Sequence, residues 1–282
     1  MPKFVIPLEK TVNNAFDSIR PYIEPITDVI SKGLETILKG AEGFLLKFPP
    51  WLVIIILSLL IFFLISKKIG TFALISFFFL YSLDLWTQTI ETLAIVVAAT
   101  IIGLIIAIPT GILASQNDLF EKILKPILDF MQTLPSFVYL IPAVIFFGLG
   151  EVAAVVATLI FSIPPAIRLT NLGIRQVPQD IVEAAKAFGS TKFQILTGVQ
   201  LPLAMPTIMA GVNQCIMLGL SMSVIAAMIG AGGLGGEVLK AMQTINIGSG
   251  IEGGIGIVVI AILLDRITEN ISRKRNISIQ KR

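Results

Sequence analysis

The sequence predicts an all-α polytopic membrane protein, with about seven transmembrane helices behind an amphipathic N-terminal helix. Three observations carry this. Of 282 residues, 55% are hydrophobic and 14% charged, against about 25% charged in an ordinary soluble domain. Mean hydropathy is +0.90. The apolar residues fall into runs that approach the length of about 20 residues needed to cross a bilayer.

The first 16 residues hold Lys3, Glu9 and Lys10 with no apolar run behind a basic cluster, so no cleavable signal peptide is expected. From Ile26, apolar residues recur three and four apart: Val29, Ile30, Leu34, Ile37, Leu38, Ala41, Leu45 and Phe48. Asp28, Lys32, Glu35, Lys39 and Glu42 fill the other face. This spacing predicts an amphipathic helix lying on a membrane surface or against other helices. Pro21 and Pro25 are expected to separate it from a weaker helical stretch over 8–19. The N-terminal unit is taken as 1–50, on the outer face.

Pro49, Pro50 and Trp51 open the membrane region. Seven spans are expected, at 51–66, 69–86, 88–114, 129–149, 152–168, 204–228 and 250–268. The first two form a hairpin across Ser66, Lys67 and Lys68, giving a peripheral pair over 51–86. Trp51, Tyr81 and Trp86 sit near span ends, as interfacial aromatics do. The remaining five spans make a unit over 87–269, followed by a basic tail over 270–282.

Lysine and arginine set the orientation. With the N-terminus outside, the inner segments hold Lys67, Lys68, Lys122, Lys125, Arg168, Arg175, Lys186, Lys192, Arg266, Arg273, Lys274, Arg275, Lys281 and Arg282. The outer loops of the membrane region keep Lys240 alone. The opposite orientation would place nearly all loop positives outside. The net charge of +3 therefore reads as topology beside anionic lipid, and not as nucleic-acid binding.

The composition also excludes chemistries. There is no histidine, hence no Ser-His-Asp or Cys-His machinery and no histidine metal site. Cys215 is the single cysteine, so an intrachain disulfide or CxxC motif is excluded. No G-x4-G-K-[ST] occurs, so the chain has no P-loop of its own. GAGGLG at 230–235 matches G-x-G-x-x-G, but follows a membrane span and not a strand. A flexible outer loop that meets a delivering protein or shapes the outer gate is expected there.

The most informative segment is the polar interruption over 175–202, RQVPQDIVEAAKAFGSTKFQILTGVQLP. Pro178 and Asp180 suit a helix start and Gly189 a helix end, which predicts two short helices joined at a glycine. Glu183, Ala184, Ala185, Gly189, Val199, Leu201 and Pro202 fit E-A-A-x3-G-x9-[IV]-x-L-P at every spacing. On these residues the chain resembles the permease subunits of binding-protein-dependent ABC importers. QTLPSFVYLIP (132–142), SIPPAIRLTNLGIRQVP (162–178) and MIGAGGLGGEV (228–238) resemble the glycine betaine/proline betaine group, OpuAB/ProW-like.

The resemblance implies a five-helix MetI-like core and an ATPase-coupling loop at Glu183, Ala184, Ala185, Phe188, Gly189 and Pro202. It implies no catalysis and no cofactor in this chain. ATP and Mg would be bound by two cytoplasmic ATP-binding subunits. The other partners implied are a second permease copy and an extracellular or periplasmic solute-binding protein, docking near 230–248, in a bacterial plasma membrane. The cargo implied is glycine betaine or a related quaternary ammonium osmoprotectant. Alternatives are choline, an organic sulfur compound, or a self-sufficient carrier or channel.

Gly103, Ala107 and Gly111 lie four apart, as small residues do where membrane helices pack closely. An ionised residue at mid-membrane costs about 2.5–3.5 kcal/mol, and the expected spans nearly avoid charge. That weighs against an ion-coupled carrier, which commonly has acidic relays there. Uncharged polar groups remain: Gln132, Thr133, Thr158 and Ser162, with Asn213, Gln214, Ser221 and Ser223 in the sixth span. Met217 and Met222 accompany them, and a translocation path along Asn213–Ser223 is the expectation.

Overall fold

The computed structural model describes the backbone of residues 8–280 and the side chains of 9–271. The charged side chains expected in the basic tail from Arg273 onward lie outside the described residues, as does Lys3. Among the described residues the chain is helical and has no strand. The helices are α1 (Leu8–Leu46), α2 (Pro50–Leu64), α3 (Lys67–Ser82), α4 (Trp86–Gln116), α5 (Asp118–Thr133) and α6 (Leu140–Phe147). They continue as α7 (Glu151–Arg175), α8 (Gln179–Ala187), α9 (Lys192–Ile195), α10 (Leu201–Ala226), α11 (Gly233–Gln243) and α12 (Ile247–Gln280).

Helix α7 is the centre. Its apolar window is 61% buried, against 22% for α12 at the periphery. The cause is composition: Ala153, Ala154, Ala157, Thr158, Ser162, Ala166, Thr170 and Gly173 are all buried and small. Small side chains let α4 and α10 close on α7 from two sides, the means of association open to helices in lipid. Gly103, Ala107 and Gly111 face this contact and are buried. A Cβ on Gly111 would stand 2.5 Å from Thr170 Cβ and 2.8 Å from the Ile167 carbonyl.

Among the described residues, four helices are long and apolar enough to cross a membrane, and two sharply bent pairs, α1 with α2 and α5 with α6, raise the number to six. The expectation of seven treated α2 and α3 as separate spans. They have 15 and 16 residues, about 23 Å at about 1.5 Å per residue, short of a core of about 30 Å. Their hairpin is not loosely attached either. Val53, Ile54, Ala73, Phe77 and Leu80 share one apolar cluster with Ile90, Leu220, Leu234, Ile260 and Leu263. Trp86 belongs to that cluster, edge-on to Phe77 at 6.0 Å. It is therefore core, whereas Trp51 and Tyr81 are exposed, as interfacial aromatics would be.

The single span expected at 129–149 is two segments. Helix α5 starts earlier, at Asp118, and meets the following turn and α6 at 107°. Pro135 explains the break: it has no N–H, and it forces Leu134 into an extended conformation (φ −64°, ψ 135°). Helix α5 carries Leu119, Ile123, Ile127 and Phe130 on an exposed apolar face.

Helix α1 runs unbroken through Pro21 and Pro25, against the expected separation. Spaced four apart, the prolines lose hydrogen bonds on one stripe, and the opposite stripe keeps the helix. Leu34 and Leu38 dock into a cluster with Ile95, Ala99, Ala154, Val155 and Ala226. Ile26, Val29, Ile37 and Phe44 stay exposed, an apolar surface wider than the chain itself covers.

Burial pushes the Glu42 carboxyl up to about 7, helped by the charges of Glu151 and Glu91 and opposed by Lys39. Docking thus favours the protonated form. Its contribution is full below the ordinary carboxylate range and is lost as pH rises through about 7. Proteolysis of α1 should be slower near pH ~6 than near pH ~8, and Glu42→Gln should remove the difference. An unchanged pH dependence in that variant would refute this.

Candidate functional site

The bundle has two chemically distinct ends. At one, Gly150 N–H donates to the Ile229 carbonyl, and the Glu91 carboxylate accepts from Gly233 N–H at 2.7 Å. At the other, Gln116 meets Gln200, and Arg175 reaches the Ala114 carbonyl.

At the first end lies the G-x-G-x-x-G segment. Gly230, Gly232 and Gly233 have φ of +83°, +71° and +68°, turning the chain sharply into α11. Glu91 and Thr92 of α4 accept from Gly233 N–H and Leu234 N–H. The helix N-terminus, where a nucleotide phosphate would otherwise bind, holds the protein's own carboxylate. Nor is the whole of 230–248 a flexible loop. Helix α11 packs on α12, α4 and α10, with Leu234 fully buried. Beyond it Met242, Ile245 and Ile247 are exposed by 69%, 85% and 76%.

At the second end the polar segment 175–202 projects. Arg175 ends α7, Val177 is buried, and Pro178 caps the start of α8 from just outside it, where its missing N–H costs the helix nothing. No residue of α8 is fully buried. Its C-terminus closes as a Schellman turn: Ser190 N–H donates to the Ala185 carbonyl and Gly189 N–H to that of Lys186. This turn requires the left-handed φ of +81° at Gly189. Thr191 and Gln194 then form a reciprocal capping box that starts α9.

The result is a stiff knob of two short helices. Phe188 is 90% and Phe193 72% exposed, and Ile181 is exposed as well. Asp180, Glu183, Lys186 and Lys192 supply a charged rim, all exposed. Ala184 is exposed and Ala185 partly so, leaving room for close approach.

Pro202, which the resemblance implies to be part of the coupling loop, lies inside a helix. The chain is helical from Lys192 to Ile229, with a π-turn at Leu196–Gln200 and Pro202 early in α10. The wider turn absorbs the carbonyl clash that a proline makes one turn back.

The expected path residues divide. Gln214, Met217 and Ser221 lie on one exposed face of α10, continued by Ala210 and Met228. Asn213 turns away and donates to Asp265 of α12 at 2.7 Å. Met222 and Ser223 are buried, and Ser223 donates to the Leu220 carbonyl. Helical phase separates them: exposure recurs every three or four residues, so neighbours cannot share a face. Gln132 and Thr133 are exposed at the end of α5, whereas Thr158 and Ser162 are buried.

One feature was not anticipated. Arg175, counted only as an inside charge, gathers Asp118 (2.8 Å), Glu121 (3.1 Å), Asn171 (2.9 Å) and the Ala114 carbonyl (2.9 Å). The available signal was acidic residues opening one helix while a basic residue closes another.

The family described as "Binding-protein-dependent transport system inner membrane component" matches residues 99–277, which include the whole projecting knob. The chain belongs to this family. The permease is 47% identical over 270 residues to the "Glycine betaine transport system permease protein OpuAB" of Bacillus subtilis (strain 168), covering 96% of each chain. It is 44% identical to the "Glycine betaine/proline betaine transport system permease protein ProW" of Escherichia coli (strain K12), over 96% of this chain and 77% of that one. Its fold is similar to a chain of the "MetNI methionine ABC transporter" in an inward-facing conformation. The TM-score there is 0.62 at 22% identity, over 68% of this permease and 95% of that chain. The match confirms the all-α MetI-like fold. Helices α1–α3 lie before the family match begins.

Proposed function

We propose that this permease is the membrane subunit of an ATP-driven importer for glycine betaine or a related quaternary ammonium solute. Two copies form the pathway, and two ATP-binding subunits, which hold ATP and Mg, dock on the α8–α9 knob. The permease itself is non-catalytic. The observation that carries this is the knob: exposed Phe188 and Phe193 inside a charged rim, on a rigid double-capped turn. Such a surface suits a protein groove better than water. The cargo follows from the relatives' printed names.

Two further surfaces suit this reading. The exposed α10 face of Ala210, Gln214, Met217 and Ser221 is smaller and more polar than that of α12, which shows Ile251, Ile255, Val258 and Ile262. The α12 face suits lipid, and the α10 face suits a solute path beside a second copy. Met242, Ile245 and Ile247 suit a docking solute-binding protein, in keeping with the knob inside and α11 outside. The lysine and arginine distribution points the same way.

The test is the assembled complex in vesicles, with binding protein presented with betaines, choline and amino acids. ATP hydrolysis and uptake should both rise with glycine betaine. An impermeant thiol reagent should reach a cysteine placed at Lys240 from outside and one at Lys192 only from inside. Uptake driven by an ion gradient through this chain alone would overturn the assignment.

A further inference from the structure

We propose that Arg175 is the positioning residue that ties movement of the α8 knob to α5, making α5 a lever between the ATP-binding subunit and the solute path. This rests on the reading of the knob as the site of ATPase contact.

Only Gln176, Val177 and Pro178 separate Arg175 from α8. On its far side the knob continues through α9, where Ile195 is buried, into α10; on its near side α8 joins the bundle through the end of α7. Behind the knob lies a cavity of about 280 Å³, lined by Ser115, Val182, Lys186 and Gln200 among others. Displacement of α8 therefore pulls on the end of α7, at Arg175, as well as on α10.

Arg175 is held by α5 and by the end of α4 together. Its guanidinium meets Asp118 and Glu121, both in the first turn of α5, and the Ala114 carbonyl of α4. Asn171, one turn back on α7, accepts from Arg175 Nε and donates to Glu121 Oε1 at 2.8 Å. Five donors in a planar fork can satisfy such a set, and a lysine ammonium cannot. The start of α5 is itself stiff, because the Asn117 side chain accepts from Leu119 N–H and Phe120 N–H. Farther along, Arg168 of α7 pairs with Asp129 of α5 at 2.5 Å. Helix α5 is thus gripped near both ends. It terminates in exposed Gln132 and Thr133 at the 107° break.

The test uses the assembled transporter with spin labels at Lys125 on α5 and at exposed Gln179, which opens α8 outside the charged rim. In the unaltered protein the distance between labels should stay constant between nucleotide-free and ATP-trapped states. In Arg175→Gln it should change, with uptake per ATP hydrolysed falling about tenfold. Arg175→Lys should recover only part of this. If Arg175→Gln does not accumulate, Glu121→Gln, which keeps the arginine, carries the same measurement with a smaller change expected. A distance that already changes in the unaltered protein overturns the proposal. So does a fall in uptake and hydrolysis in equal proportion. Loss of the underlying reading shows separately: Phe188→Asp would then leave ATPase co-purification intact.

Discussion

Phe188→Asp is expected to abolish uptake while leaving the permease inserted and folded. The side chain is 90% exposed, so its loss removes almost no contact within the chain. Exposed substitutions away from special geometry usually change stability by less than about 0.5 kcal/mol. An aromatic anchor at the centre of a protein interface is worth about 2 kcal/mol or more, at least about thirtyfold in affinity. Gly189→Val should act alike by another route. A β-branched residue at the φ of +81° that the Schellman turn requires would open the turn and splay α8 from α9. Co-purification of the ATP-binding subunit and uptake into cells are the measurements, with extracted permease as the control. Normal uptake by either variant would remove the coupling assignment.

Gly235→Val should unseat α11 and lower both stability and uptake. A Cβ there would stand 2.5 Å from the Ser223 carbonyl oxygen, 2.8 Å from Val224 Cα and 2.9 Å from Ser223 C. All three are backbone of α10, so no side chain can yield. Overpacking of this kind costs about 1–3 kcal/mol or more. Lifting α11 would also withdraw Leu234 from Leu80 and Ile260, and the Gly233 N–H from Glu91. Gly236→Ala is the control, since nothing lies within 4 Å of its Cβ position. A thermal unfolding curve of the detergent-purified permease distinguishes them. Equal midpoints for the two variants would contradict the packing described.

Much of the fold was legible because it depends on local chemistry. Apolar runs of span length, the glycine-joined helices of the knob and the small-residue face Gly103, Ala107 and Gly111 each follow from spacing alone. The errors have two causes. The fate of Pro21, Pro25 and Pro135 turns on local backbone geometry that an apolar periodicity does not resolve, whereas Trp86 is core because neighbours from elsewhere in the chain cover it. Pro135 did break its helix and Pro21 did not, although both are prolines in helical pattern. In the candidate path, sequence proximity grouped Asn213 with Gln214. A rotation of about 100° per residue put one toward Asp265 and the other outward.

By itself, the sequence determined a membrane class, a family signature and an uneven distribution of charge along the chain. These are properties of composition and short-range periodicity, and they survive without knowledge of contacts. Only the tertiary structure decided what the G-x-G-x-x-G segment binds, because the carboxylate that fills it comes from Glu91, 142 residues away. The same holds for Arg175, whose partners on α5 lie more than 50 residues earlier yet within 3.1 Å. A salt bridge across two helices has no periodicity to announce it; it exists only where packing brings the helix ends together.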